Sequence, residues 1–175
     1  IAVTSATHAL AIQFDGSATS SGSLDSQADS AVDPAAISGA FAFTVGGADR
    51  VNYVPVSYGG VLVLSASSGT VASGTYFVND GGSTYSAPLS GSMTAPDSYG
   101  RGSLTFTIGL DFSYYAVQGQ VLRLVGKNSP YVMSGGSMFG QGTAGASATF
   151  SRASLTGDYV LFEGGETLAG TLDLA

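Results

Sequence analysis

The sequence predicts an all-β protein: an eight-stranded antiparallel up-and-down barrel with extra flanking strands. Apolar and polar residues alternate with a period of two along most of the chain, as at Leu104, Phe106 and Ile108. Turn-forming stretches such as Asn79-Asp80-Gly81-Gly82 separate the alternating segments. Short loops between neighbouring segments favour a meander, and eight meandering strands close readily into a barrel.

The eight predicted strands lie between Ile37 and Gln141. They are placed near residues 38–46, 54–65, 71–79, 85–94, 101–109, 111–118, 120–126 and 132–140. Only residues 28–36 could hold a helical turn, and Pro34 would end it. A two-sheet β-sandwich is the competing architecture, because the same strands could pack as two open sheets.

The composition narrows the classes of partner. Of the 175 residues 10% are charged, and the formal net charge is −7. We expect no nucleic-acid partner, because few basic side chains are available to neutralise phosphates. The absence of Cys excludes disulfides and thiolate chemistry. No run of eighteen apolar residues occurs, so no membrane span is predicted.

The same composition predicts a location. Low charge, abundant Gly, Ser and Thr, and a single lysine, Lys127, favour an extracellular bacterial protein, either secreted or held at the cell surface. The chain begins with Ile1-Ala2-Val3 rather than Met, so we expect a processed product or a part of a longer protein.

The two ends of the chain repeat pieces of its middle. Residues 37–43 are echoed by residues 155–161, and residues 135–141 are echoed by residues 21–27. The echoes predict the following organisation: the end of a preceding module in 1–27, a linker in 28–36, a complete β module in 37–142, a Gly/Ala/Ser linker in 143–152 and the start of a following module in 153–175.

The complete module carries five motifs in a fixed order. They are Ile37-Ser38-Gly39-Ala40-Phe41-Ala42-Phe43, Val78-Asn79-Asp80-Gly81-Gly82, Leu89-Ser90-Gly91-Ser92, Tyr99-Gly100-Arg101-Gly102-Ser103-Leu104-Thr105-Phe106 and Gly135-Gly136-Ser137-Met138-Phe139-Gly140-Gln141. In these motifs the chain resembles the uncharacterised β-repeat modules that occur in tandem in large secreted bacterial proteins. The resemblance implies a secreted, repeated β module and no catalytic or binding position. Residues 52–58 depart from the family's second strand in being more aromatic.

Residues that commonly carry catalysis are few. A serine triad could recruit only His8, the single histidine, and a Ser–Lys dyad only Lys127. Glu163 and Glu166 fall in one Gly-Gly turn rather than across a cleft. Asp111 is expected to face outward from its strand. We therefore expect no enzymatic activity and no cofactor.

Two further patterns are ambiguous. Residues 140–145 fit G-x-G-x-x-G by letter, but the helix that a dinucleotide site requires does not follow. Asn79 with Asp80, and then Asp97, could offer oxygen ligands to calcium. A tight turn with positive φ explains Asn-Asp-Gly-Gly as well, and is the favoured interpretation.

We expect a structural protein: a repeating subunit of an extracellular fibre, stalk or matrix. Its partners would be other copies of the chain or adjacent modules of the same polypeptide, joined by β-strand complementation or in a tandem array. The residues expected to mediate assembly are Leu10, Ile12, Phe14, Tyr159, Leu161, Leu172 and Leu174.

Two alternative functions involve a ligand. One is a lipocalin-like barrel around a small molecule. The other is an adhesin domain that binds glycan through tyrosines, although packing at half-buried strand positions is the favoured role for these residues. The tyrosines considered are Tyr53, Tyr58, Tyr76, Tyr85, Tyr99, Tyr114 and Tyr115.

Overall fold

The computed structural model describes residues 1–16, 19–127, 132–142, 157–163 and 168–174. These residues form β-strands and one 3₁₀ turn at Asp29–Val32. The strands are β1 (Ala2–Val3), β2 (His8–Phe14), β3 (Thr19–Asp25), β4 (Ser38–Asp49), β5 (Val54–Ser65), β6 (Thr70–Asp80), β7 (Ser83–Pro88), β8 (Gly91–Met93), β9 (Arg101–Phe106), β10 (Asp111–Gln118), β11 (Val121–Lys127), β12 (Val132–Gly140), β13 (Gly157–Glu163) and β14 (Leu168–Leu174). No described helix is long and apolar enough to cross a bilayer.

Eight of the strands close into an antiparallel barrel. The order around the ring is β5-β4-β12-β11-β10-β9-β8-β6, and pairing of β5 with β6 closes it. The extra strand β7 pairs with β6 and lies outside the ring. The predicted all-β, eight-stranded up-and-down barrel is therefore confirmed, and the strands do not form the alternative sandwich. The flanking strands form two separate sheets, β1–β2–β3 and β13–β14.

The segment predicted as one strand over 85–94 is two strands. β7 ends at Pro88, which has no N–H to donate, and Leu89 turns into the core, where it is 2% exposed. On the far side, β9 ends at Phe106, opposite Gly91 of β8. Within the described structure β7 therefore pairs only with β6, while just beyond β9 the Thr107 amide donates to the Ser90 carbonyl at 3.0 Å.

A second difference from the predicted strands lies at residues 107–110. The strand expected over 101–109 ends at Phe106, because the chain turns through Gly109 at φ 82° and the Gly109 amide bonds the Phe106 carbonyl at 3.0 Å. Ile108 was expected to face the interior with Leu104 and Phe106. It lies in this turn instead and is 36% exposed.

The barrel interior is filled by side chains. The void between the buried aromatic rings of Phe43, Phe106 and Phe112 measures about 10 Å³, room for at most one water molecule. Tyr114 is fully buried, and its hydroxyl donates to the Thr94 carbonyl at 2.7 Å. Burial, followed by the nearby negative charge of an aspartate, raises the pKa of Tyr114 to about 12.

Residues 28–36, predicted as a linker, pack against the β10–β11 turn. Ala31 of the 3₁₀ turn is 1% exposed and belongs to the core. The Ala28 amide donates to the Val117 carbonyl at 2.8 Å, and Gln120 Nε2 donates to the Ala36 carbonyl at 2.8 Å. This segment therefore ties the N-terminal sheet to one end of the barrel.

Candidate functional site

The N-terminal sheet β1–β2–β3 has an open edge along β3. Within the described structure β3 pairs only with β2. The Ser26 amide donates to the Thr7 carbonyl, so even-numbered residues of β3 direct their N–H groups toward β2. Odd-numbered residues, including Ser21 and Ser23, direct theirs toward the open edge. An unpaired edge of this kind is a template for another strand.

Apolar side chains of this sheet are exposed. The predicted assembly residues Leu10, Ile12 and Phe14 share one face of β2, and their exposed fractions are 49%, 72% and 84%. Leu24 of β3 lies on the other face and is 53% exposed. A partner that covered these side chains would remove apolar surface from water, which is favourable.

A charged junction holds the base of this sheet against the outer barrel wall. Arg123 donates through Nε and Nη2 to Asp25 Oδ2, at 3.0 and 2.7 Å, and through Nη1 to Ser137 Oγ at 2.7 Å. His8 Nδ1 lies 2.7 Å from Asp25 Oδ1. Gln27 Nε2 adds a bond of 2.7 Å to the Ala116 carbonyl. The junction fixes β3 relative to the barrel.

The junction also shifts the acidity of Asp25. Burial alone would raise the pKa, but hydrogen bonds from His8 and Arg123, together with the charge of Arg123, outweigh burial and hold the pKa of Asp25 below its ordinary value of 3.8. The sequence placed Arg123 on the outer face, since it stands between Leu122 and Leu124. Nothing in the sequence indicated that its partner would be an aspartate 98 positions earlier.

The C-terminal hairpin β13–β14 has the pairing register of β4–β5. The predicted assembly residue Tyr159 pairs with Leu172, and Leu161 pairs with Gly170. Leu174, the remaining predicted assembly residue, pairs with Gly157. In the barrel, Phe41 pairs with Leu62 and Phe43 with Gly60, and Tyr159 and Leu161 occupy these positions in the echoed segment.

The N-terminal sheet repeats the order β10–β11–β12. Ala2 pairs with Leu10 in the sheet as Ala116 pairs with Leu122 in the barrel. The register between the next two strands differs by one residue, since Leu10 pairs with Ser23 whereas Leu122 pairs with Met138. A shift of one residue moves side chains to the other face, which is why Leu10 and Leu24 lie on opposite faces.

The predicted calcium ligands lie in a tight turn. Asn79 Oδ1 accepts the Gly82 amide at 2.8 Å, and Gly81 and Gly82 have φ of 57° and 97°. The Asp80 Oδ1 atom has no hydrogen-bond partner in the described structure. The described residues contain no cluster of three or more His, Asp or Glu side chains that could hold a metal. This geometry fits the turn interpretation.

The other candidate groups are dispersed. Lys127 Nζ lies 3.2 Å from Ser103 Oγ, but this contact is exposed to solvent, whereas an activated lysine needs desolvation. Asp97 accepts the amides of Tyr99 and Arg101, and these bonds lower its pKa. Asp111 lies on the outward face of β10 as predicted, since Phe112 beside it is buried. Glu163 ends β13; Glu166 and residues 143–145 lie outside the described residues.

Two ligand-binding interpretations can be compared with the structure. The void between the core aromatic rings, about 10 Å³, is too small for an organic ligand, and the lipocalin-like role stays a prediction. Of the tyrosines, Tyr76 and Tyr114 are buried in the core. Tyr58 and Tyr85 line an open groove of about 550 Å³ on β4–β7. Glycan binding stays a prediction.

The fold and these contacts define the class: an antiparallel β-barrel protein flanked by two smaller antiparallel sheets. No protein family, curated protein or solved structure matches the chain. The likeness to tandem modules of secreted proteins therefore stays a prediction from its motifs.

Proposed function

We propose that the chain is a structural repeat unit of an extracellular bacterial fibre, stalk or matrix, in which the flanking sheets are completed by equivalent strands of other units. The supporting observation is the register of the flanking strands. β13–β14 pairs as β4–β5 does, and in β1–β2 the pair Ala2–Leu10 matches the pair Ala116–Leu122 of β10–β11, beyond which β10 has a bulge. The C-terminal hairpin therefore resembles the first two strands of the barrel, and the N-terminal sheet resembles its last three strands in their order.

The surface of the flanking sheet supports assembly. The open edge of β3 offers unpaired donors and acceptors, and Ile12 and Phe14 expose most of their apolar surface. Pairing with a further strand would satisfy the backbone groups and bury side chains, which are the two main gains in β-strand addition. The low charge and single lysine of the chain support a location outside the cell.

Sedimentation velocity over a range of concentrations tests this proposal. We expect the chain to form oligomers of increasing size as its concentration rises. Ser23→Pro should abolish this association, because it removes an N–H that points to the open edge while leaving the β2–β3 bonds intact.

Ser23→Ala is the matched control. It removes the Ser23 hydroxyl, which lies 3.2 Å from Asp25 Oδ2, but keeps the amide, so it should associate like the original chain. A chain that stays monomeric at every concentration would refute the proposal. Association of Ser23→Pro equal to that of Ser23→Ala would refute the role of the β3 edge.

A further inference from the structure

The register of the barrel identifies the strand that fits the open edge of β3. We propose that β13 of a second copy of the chain pairs antiparallel with β3, with Leu161 opposite Leu24. This inference rests on the proposed function and names the surface and the partner through which assembly takes place.

The pairing follows from the barrel itself. There β12 pairs with β4, and Met138 lies opposite Phe43. In the echoed segments Leu24 takes the position of Met138, and Leu161 takes the position of Phe43. The same equivalence places Ser26 opposite Tyr159, as Gly140 lies opposite Phe41. One register therefore aligns both echoed segments at once.

The backbone of β3 is oriented for this partner. In β12 the Gly140 amide donates to the Gln120 carbonyl of the β11 side, and the Gln141 amide donates to the Ala40 carbonyl of the β4 side. Even-numbered residues of β12 thus bond to β11, and odd-numbered residues bond to β4. β3 has the same division, since the Ser26 amide bonds toward β2. The unpaired amides of β3 therefore belong to its odd-numbered residues, which correspond to the β12 residues whose amides bond β4 in the barrel.

A glycine on β3 supplies a second argument for this neighbour. Gly136 of β12 lies so close to β4 that an added Cβ would approach the Thr44 carbonyl oxygen to 2.0 Å. Gly22 occupies the equivalent position on β3, and an added Cβ there would meet nothing within 4 Å. β3 therefore carries a glycine at the position where a β4-like strand would approach too closely for a side chain. No such strand lies there in the described structure.

Disulfide trapping tests the register, because the chain contains no Cys of its own. Leu24→Cys protein is mixed with Leu161→Cys protein and oxidised, and products are separated on a non-reducing gel. We expect a disulfide-linked heterodimer, since directly opposed residues have the Cα separation that a disulfide needs. Ser23→Cys mixed with Leu161→Cys is the matched control; the proposed register offsets these residues by one position, so no cross-link should form.

The outcomes separate this inference from the proposed function. Cross-linking of the control pair in place of the 24–161 pair would overturn the register. Association without cross-linking of either pair would overturn β13 as the partner and leave assembly standing. A chain that carries both Leu24→Cys and Leu161→Cys and closes its disulfide within a monomer would overturn pairing between copies. Failure to associate at all would overturn the proposed function as well.

Discussion

Gly136→Ala should destabilise the barrel by about 1–3 kcal/mol, the usual cost of forcing extra volume into a packed region. The added Cβ would lie 2.0 Å from the Thr44 carbonyl oxygen and 2.7 Å from Val45 Cα, whereas Cβ atoms essentially never approach other heavy atoms within 3.0 Å. Strands β12 and β4 must therefore separate by about 1 Å, which weakens their shared ladder. Gly136 is not among the glycines with positive φ, so the cost is steric.

Urea unfolding followed by far-ultraviolet circular dichroism measures this loss, and Gly22→Ala is the internal comparison. The equivalent Cβ on Gly22 meets open space, so Gly22→Ala should leave the free energy of unfolding within about 0.5 kcal/mol of the original value. The same variant should associate more weakly if a β4-like strand pairs with β3. Equal unfolding midpoints for the two alanine variants would refute the steric reasoning.

Two further predictions concern Asp25 and Tyr114. Asp25→Asn should weaken the junction by about 1–3 kcal/mol. Amide exchange in β1–β3 should then become faster than in the original chain, while exchange in the barrel strands changes little. The folded pKa of Asp25 lies below its ordinary value of 3.8, so the stability that Asp25 contributes is present above that pH and is lost as the pH falls through the folded pKa. Asp25→Asn should lack this loss of stability in acid. An acid dependence equal to that of the original chain would contradict the assignment. Tyr114 should ionise near pH 12, so stability should fall from about pH 10, where the unfolded chain releases this proton, to about pH 12. Phenolate absorbance should show a titration step near pH 12 that Tyr114→Phe lacks. Persistence of this step in Tyr114→Phe would contradict the assignment.

The barrel strands could be predicted because their signal is local. Alternation at Phe41 and Phe43, or at Leu122 and Leu124, states which residues face inward without reference to the rest of the chain. The prediction was wrong where an adjacent residue, rather than the alternation itself, determines whether the strand continues. Ile108 continues the alternation of Leu104 and Phe106, yet the chain turns there, because Gly109 permits a positive φ that other residues disfavour.

The junction shows what sequence reasoning could not reach. Alternation places Arg123 on the outer wall, but only the folded chain brings Asp25 and His8 within hydrogen-bond distance of that network. The echo of residues 37–43 in residues 155–161 agrees with the pairing of β13 with β14, whereas the role of the assembly residues stays a prediction. The one-residue difference between β2–β3 and β11–β12 carried no signal in the sequence.

That difference in register has a consequence for assembly. Within the barrel, Leu122 and Leu124 share the buried face with Met138, whereas in the flanking sheet Leu10 and Ile12 lie opposite the face of Leu24. Pairing β13 with β3 would cover the Leu24 edge and leave the apolar stripe of β2 available for a further contact. Each fully buried side chain of this stripe would contribute about 1.5–3 kcal/mol.

The two ends of the proposed contact also differ from each other, and this difference decides the form of the assembly. β3 would accept a strand and β13 would supply one, so the contact is heterologous rather than two-fold symmetric. A copy that has accepted a strand still has its own β13 to offer. The Asp25–Arg123 junction holds β3 against its barrel, so each added copy would enter in the same orientation. Repetition of one fixed, non-symmetric step gives an open filament unless the rotation per step happens to close a ring.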